Sequence, residues 1–330
     1  CNLNRVADEL QKNSMSESLG FGSQLIDTGL YRPGHAACYL IEDAGEFALI
    51  DTGTQHSLPR ILDTLAEHGG NPEDLRYVIP THVHLDHAGG SGQVMAACPN
   101  ATLVVHPKGL PHVVDPSKLQ ASATAVYGEA AFTRDFGTLQ AVDAKRTLAA
   151  DDGQAVQLGQ RQLRLVYTPG HANHHWCIHD SSSGYLYTGD TFGLGYREFY
   201  RQGTPLLVAT TTPVAFDPDA WMLSLERMMD LSPTACCLTH FGAIERPERY
   251  VDTLRRSIEA HRAIALAEEP RDPVGREARL MAAVEAELVD AAVDHSGLPR
   301  DEIRALFDSD IQLNAQGLDI WLKRRAKRAG

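Results

Sequence analysis

The sequence predicts an α/β domain followed by a helical extension, and three observations carry that expectation. From about residue 24 to 240, short β-like runs alternate with turns and helical stretches, the pattern of a layered α/β unit. After Phe241 the texture changes, and residues 247–330 contain no convincing strand. Several apolar runs in the first part end directly in a histidine or an aspartate.

Taken in order, Gln24–Asp27, Ala37–Ile41 and Phe47–Ile50 are strands, the last two joined by a hairpin loop at Glu42-Asp43-Ala44-Gly45-Glu46. Ser57–Glu67 is a helix and Tyr77–Ile79 a short buried strand. Gly89 and Gly90 mark a turn before a helix at Ser91–Ala97. Thr102–Val105, Leu163–Tyr167, His174–Ile178, Tyr185–Tyr187 and Ala235–Leu238 are strands, with helices at Ser117–Tyr127 and Pro218–Asp230. Pro247 suits a helix start, where its missing N–H costs nothing. Leu280, Val284 and Leu288 recur every four residues along one helix face. With Ser296–Pro299 and Ser309 as punctuation, three or four helices fill this segment. They can cover the rim of the domain or make a homodimer contact. The closing KRRAKR reads as a solvated helix end favoured by the helix dipole.

The chain divides into residues 1–14, read as a tag or expression remnant ahead of a start at Met15 or as a disordered N-terminus, a domain over 15–246 and the extension over 247–330. A formal net charge of −13 argues against a broad phosphate-binding face, so no nucleic-acid partner is expected. No apolar run approaches a membrane span. Six scattered cysteines form no C-x-x-C pair and read as reduced core residues, which fits a cytoplasmic protein.

Residues 81–90 read THVHLDHAGG. His82 and His84 are two apart, so an extended segment points them the same way, and Asp86 and His87 follow at once. In a tight loop after a strand, four such side chains can converge on one or two cations, since imidazole and carboxylate bind zinc, iron or manganese. The arrangement recurs: LVYTPG ends in His171, YLYTG in Asp190 and CCLT in His240. Strand ends on one sheet edge bring residues distant in sequence together.

On these residues the sequence resembles the metallo-β-lactamase-fold hydrolase superfamily: His82, His84, Asp86 and His87 in THVHLDHAGG, His171 in TPGHANHH, Asp190 in YTGDTFG and His240 in LTHFG. The resemblance covers roughly residues 20–245. It implies an α+β fold, an αββα sandwich with the helical extension attached, and a dinuclear metal site along one edge. It also implies that His82, His84 and His171 hold the first metal and Asp86, His87 and His240 the second, with Asp190 bridging. Leu49-Ile50-Asp51-Thr52-Gly53 resembles the family's strand-turn near the metals. Asp51 is then either a group orienting a ligand histidine or a turn cap.

Two cations roughly 3.5–4 Å apart can share a water and lower its pKa toward neutrality, giving a metal-bound hydroxide nucleophile. The expected reaction is hydrolysis of an ester, thioester, lactone or amide of a small molecule, with Asp86 and Asp190 as the catalytic carboxylates. An aspartate rather than a cysteine at 190 resembles the hydroxyacylglutathione hydrolase and lactonase branch. It favours iron or manganese more than a thiolate would, and zinc remains the expected metal. Alternatives are a phosphodiesterase or RNA-processing nuclease, an iron-dependent sulfur dioxygenase-like oxidoreductase, and a non-catalytic signalling protein that retains the metals. For substrate contacts, His106, His112 and Asp115 follow a strand, and Tyr196, Arg197 and Tyr200 follow Asp190. His174 and His175 read as strand-face residues, and His179 as exposed.

Overall fold

The structure, a computed structural model, describes residues 16–329; the reading of residues 1–14 as a tag and of Met15 as a start lies outside the described residues. Two sheets stack face to face. The first holds seven strands in sequential order: β1 (Ser16–Gly20), β2 (Ser23–Asp27), β3 (Ala37–Asp43), β4 (Glu46–Ile50), β5 (Leu75–Ile79), β6 (Thr102–Val105) and β7 (Thr147–Ala149). The second holds six: β8 (Ala155–Leu158), β9 (Arg161–Tyr167), β10 (Trp176–Asp180), β11 (Tyr185–Gly189), β12 (Ala235–Leu238) and β13 (Gly242–Glu245), ordered β13-β12-β11-β10-β9-β8. The helices are α1 (Leu58–Glu67), α2 (Leu85–Ala88), α3 (Ser91–Ala97), α4 (Leu110–Val114), α5 (Ser117–Tyr127), α6 (Glu129–Asp135), α7 (Pro218–Asp230), α8 (Val251–Glu268), α9 (Arg276–Ser296), α10 (Arg300–Leu306) and α11 (Asp308–Ala329).

Alternation along the strands explains the layers. In β3, Tyr39 and Ile41 face the second sheet and join Leu163, Leu165, Trp176, Ile178 and Tyr187 between the sheets. Cys38 and Leu40 face outward, in the cluster that includes Ile61 and Leu65 of α1 and Val94 and Met95 of α3. With both faces covered, the strand reads as a continuous apolar run. The outer face of the second sheet, with Leu186, Cys236 and Leu238, shares a core with Trp221 and Leu225 of α7 and with the C-terminal helices. Of the two roles left open for the extension, covering the domain is the one this packing displays. Ser309 does not punctuate it: the break falls at Phe307, and Ser309 lies in the first turn of α11.

One buried ionic cluster ties the sheets at the end away from the strand tips. Arg161 of β9 reaches Asp43 of β3 at 3.2 Å and Asp180 of β10 at 2.9 Å, and donates to the Phe21 carbonyl. Asp180 is fully buried. Arg161→Ala should therefore destabilise the protein by about 3–5 kcal/mol, because it leaves a buried carboxylate without its cation. A chemical-denaturation midpoint close to that of the unmodified protein would rule this out.

The topology gathers the strand ends. β4 and β5 are parallel, as are β11 and β12, and two antiparallel steps through β10 give β9 the direction of β11. The C-terminal ends of β9, β11 and β12 thus share one edge of their sheet, and those of β4 and β5 one edge of theirs. Among the described residues, no helix is long and apolar enough to cross a membrane. Cys38, Cys98, Cys177, Cys236 and Cys237 are free and buried.

Candidate metal centre

The site is built from those strand ends. Pro80 ends β5, His82 and His84 follow in the loop, and the single turn of α2 carries Asp86 and His87. Gly89 and Gly90 form the expected turn between α2 and α3. A Cβ on Gly90 would stand 2.8 Å from the Thr52 carbonyl oxygen and 2.6 Å from that of Thr54, so its bareness lets α2 press against the 51–54 turn. Thr52 N–H donates to the His87 carbonyl at 2.6 Å across this contact.

Three ring nitrogens meet at one point: His84 Nδ1 is 2.8 Å from His82 Nε2 and 3.0 Å from His171 Nε2. His171 already donates Nδ1–H to the Thr210 carbonyl at 3.0 Å, so in its neutral form Nε2 carries a lone pair. Burial holds the His82, His84 and His171 pKa values below the ordinary imidazole range, and neighbouring histidines push His82 and His84 further down. Neutral rings with converging lone pairs suit a cation between them.

The second group is charged. Asp86 Oδ2 lies 3.2 Å from His240 Nε2 and 3.6 Å from His87 Nε2. Asp190 Oδ1 lies 3.2 Å from His87 Nε2, and its Oδ2 lies 3.4 Å from His171 Nε2. Asp190 therefore reaches both groups. Burial opposes charge on His87, but Asp190, Asp86 and Asp51 outweigh it and hold this histidine well above the ordinary range. His240 is raised in the same way by Asp190 and Asp86. Despite these approaches, His87 Nε2 and Asp190 Oδ1 are buried without a hydrogen-bond partner. Unsatisfied donor atoms of this kind, in three overlapping sets (His82, His84, His171; His82, His87, Asp190; Asp86, His87, His240) whose ligand atoms lie within 4.8 Å of one another, fit divalent cations. Cation binding at the Asp86–His87–His240 set must displace protons, so its affinity is expected to rise with pH. Metal titrations at two pH values check this.

Outer partners orient the rings. Asp51, at a φ of +57° that aspartate tolerates better than most residues, takes His87 Nδ1–H at 2.8 Å. It also accepts from Thr81 N–H at 2.6 Å and from the Thr239 hydroxyl at 2.8 Å. This bonding sets His87 Nε2 toward the site, beyond a mere turn cap. His240 donates Nδ1–H to the His35 carbonyl at 2.7 Å. Asp51→Ala should weaken cation binding about 10–100-fold, the usual cost of losing such a partner; equal affinity by competition with a chelating dye would refute it.

A cavity of about 670 Å³ opens on His84, Asp86, Asp190 and His240. His112, on α4, and Tyr196 line it. Arg197 does not: it pairs with Glu17 at 2.7 Å and covers Phe241, because the 3-10 turn after Tyr196 carries it to the outside. His106 stacks on Tyr167, Asp115 is exposed and accepts from Ser117 N–H, and Tyr200 lies outside the lining. His174 and His175 lie in the loop before β10 rather than on the strand. His174 lines the cavity, His175 packs under Asp190, whose N–H it accepts at 3.2 Å, and His179 is half-buried. Sequence reasoning missed His35, Thr81, Thr239 and Asp310. The threonines had a signal, since Thr-His occurs at both 81–82 and 239–240; Asp310 had none.

Fold and site together define an αββα protein with a histidine–aspartate centre of the divalent-metal type. The model of the metallo-beta-lactamase superfamily matches residues 31–240, and the chain belongs to that superfamily. It is 30% identical over 175 residues to the metallo-beta-lactamase fold-containing protein ST1585 of Sulfurisphaera tokodaii, covering 52% of this chain and 62% of that one. The crystal structure of ST1585 superposes with a TM-score of 0.62 at 24% identity, covering 91% of this chain and 99% of that one. The chain is 31% identical over 185 residues to the human acyl-coenzyme A thioesterase MBLAC2, covering 53% and 64%. It is 27% identical over 164 residues to the hydroxyacylglutathione hydrolase of Maricaulis maris, covering 49% of each. In these sequence matches the chain spans less than two thirds of each relative's length.

Proposed function

We propose that the protein is a dinuclear metal-dependent hydrolase acting on an ester, thioester, lactone or amide of a small molecule. The observation that carries this is the sharing of Asp190 between two nitrogen–oxygen donor groups at the wall of a cavity of ligand size. His82, His84 and His171 hold one cation and Asp86, His87 and His240 the other, with Asp190 between them. Zinc is the expected metal, with iron or manganese as the other outcomes of a metal analysis. When bound, the cations supply Lewis acidity and a nucleophilic water at neutral pH.

The chain's own residues prepare that chemistry. Asp51 and the Thr210 and His35 carbonyls keep protons on the Nδ1 atoms of His87, His171 and His240, leaving each Nε2 for coordination. The carboxylates of Asp86 and Asp190 line the cavity and can take the proton lost by the attacking water. Leu30, Leu119 and Phe136 line the approach and limit solvent. The names of the acyl-coenzyme A thioesterase and hydroxyacylglutathione hydrolase relatives support a hydrolytic reading.

The test is steady-state turnover of phenyl esters, thioesters, lactones and a bis-phosphodiester by metal-analysed protein. Turnover of an acyl substrate with about two cations per chain is the expected result. Cleavage of the phosphodiester alone, or no turnover by fully loaded protein, would overturn it.

A further inference from the structure

We propose that the cavity beside the metal centre selects acyl compounds carrying a positively charged head, with Asp310 as the group that receives the charge. This deepens the hydrolase reading and rests on it for the position of the acyl carbon.

The cavity, at about 670 Å³, falls within the roughly 300–1,000 Å³ of small-molecule sites. One wall is α5, with Leu119, Ala123 and Val126; the facing wall is the start of α11, with Leu313. These surfaces take an apolar chain. Among the described residues, and apart from Asp86, Asp190 and the histidines, the charged side chains lining the space are Lys118 and Asp310. Lys118 is exposed, so solvent and salt screen it. Asp310 is set deeper, and among the described residues it makes no ion pair. Its hydrogen bond comes from the Tyr196 hydroxyl at 3.4 Å, close to the outer limit of such contacts.

The nearest basic groups lie outside the cavity lining. Arg32 lies over the Tyr196 ring at 4.6 Å and pairs with Glu198 at 2.5 Å through Nη1, while its Nη2 is buried without a hydrogen-bond partner. In the basic run ending α11, Lys323 pairs with Asp319 at 2.5 Å and Arg325 with Glu269 at 3.2 Å, while Arg324 donates to the Val214 carbonyl at 2.8 Å. Lys327 is roughly 16 Å along the helix from Gln316, the last lining residue of α11, at 1.5 Å per residue. Among the described residues, the cavity lining offers an anionic head such as a coenzyme A moiety no lysine or arginine besides the exposed Lys118.

A second observation points the same way. Tyr31 and Tyr127 also line the cavity and offer aromatic surface to an ammonium head, whereas the Tyr196 ring is covered by Arg32 and His35. Burial raises the Asp310 pKa to about 7 against the easing influence of His240, Arg32 and the Tyr196 bond. A bound cation would offset that desolvation cost.

The experiment compares three non-hydrolysable thioethers with the same hexyl chain, on thiocholine, glutathione and coenzyme A, titrated calorimetrically into metal-loaded protein. The thiocholine ether should bind at least ~10-fold tighter than the other two, and Asp310→Asn should weaken it ~10-fold while Asp310→Glu retains it. Tighter or equal binding of either anionic ether to the unmodified protein overturns the inference whether or not the variants fold. An unchanged thiocholine affinity in a well-folded Asp310→Asn protein, checked by its melting temperature, does the same. Because binding is read without turnover, failure here is separate from failure of the hydrolase reading, which turnover of the matching thioesters decides.

Discussion

Asp190→Ala is expected to lower turnover by more than ~100-fold, the upper end of what removing an outer hydrogen-bond partner costs at a metal site, and to reduce the metal content. The reason is its position. One carboxylate approaches His87 Nε2 through Oδ1 and His171 Nε2 through Oδ2, so alanine removes a donor from both groups at once. His84→Ala should act comparably, because His84 Nδ1 stands between His82 and His171. The fold should survive both changes. In the Asp190 variant, Asp51 still pairs with His87 and Asp86 with His240, so no buried imidazolium is left without a carboxylate. Elemental analysis, circular dichroism and steady-state kinetics on the purified variants check this. Undiminished turnover in either would defeat the mechanism.

Removal of residues 247–330 is expected to prevent folding. Leu254, Ile258, Leu280, Val284, Leu288, Val289, Ile303, Phe307, Ile311 and Leu318 are buried in the core that also holds Leu186, Cys236 and Leu238 of the second sheet. Without these helices the apolar outer face of the second sheet and α7 would be open to water, and exposing that area removes a main source of the fold's stability. The extension also supports the site. Asn314 accepts Thr211 N–H at 2.6 Å, and its carbonyl accepts the Thr211 hydroxyl at 3.0 Å. The neighbouring Thr210 carbonyl holds His171. Gly317 admits this contact, since a Cβ there would fall 1.5 Å from the Thr211 carbonyl oxygen. Asn314→Ala should thus cost about 1–3 kcal/mol, the price of an unsatisfied buried N–H, and loosen the cation held by His171. A soluble, fully loaded and active truncated protein would overturn this account, as would an Asn314→Ala protein with unchanged stability and metal affinity.

Legibility followed burial. The nine strands read from the sequence are interior to the two sheets, where both faces are covered and apolar runs are continuous. The four it missed, β1, β7, β8 and β13, are the four sheet edges. Edge strands such as SESLG and AVQL are short and half-exposed, so pairing with a neighbour defines them more than composition does. The overlooked helices α2, α4 and α6 span only 4, 5 and 7 residues, too few for a 3.6-residue period to declare itself.

The histidines and aspartates of the centre were legible because their chemistry is local: a donor atom at a strand end announces itself in the residue type and its spacing. By itself, then, the sequence determined the layered core and the set of groups that converge on one edge. Only the tertiary structure decided that Arg197 turns outward, that Asp51 bonds His87, and that α11 props the His171 loop and brings Asp310 to the cavity. Those facts depend on contacts between residues far apart in the chain, such as Arg197 with Glu17, Asp51 with His87, Asn314 with Thr211 and Asp310 with Tyr196. A one-dimensional pattern reports which face a side chain takes within its own element, but not which distant element will cover that face.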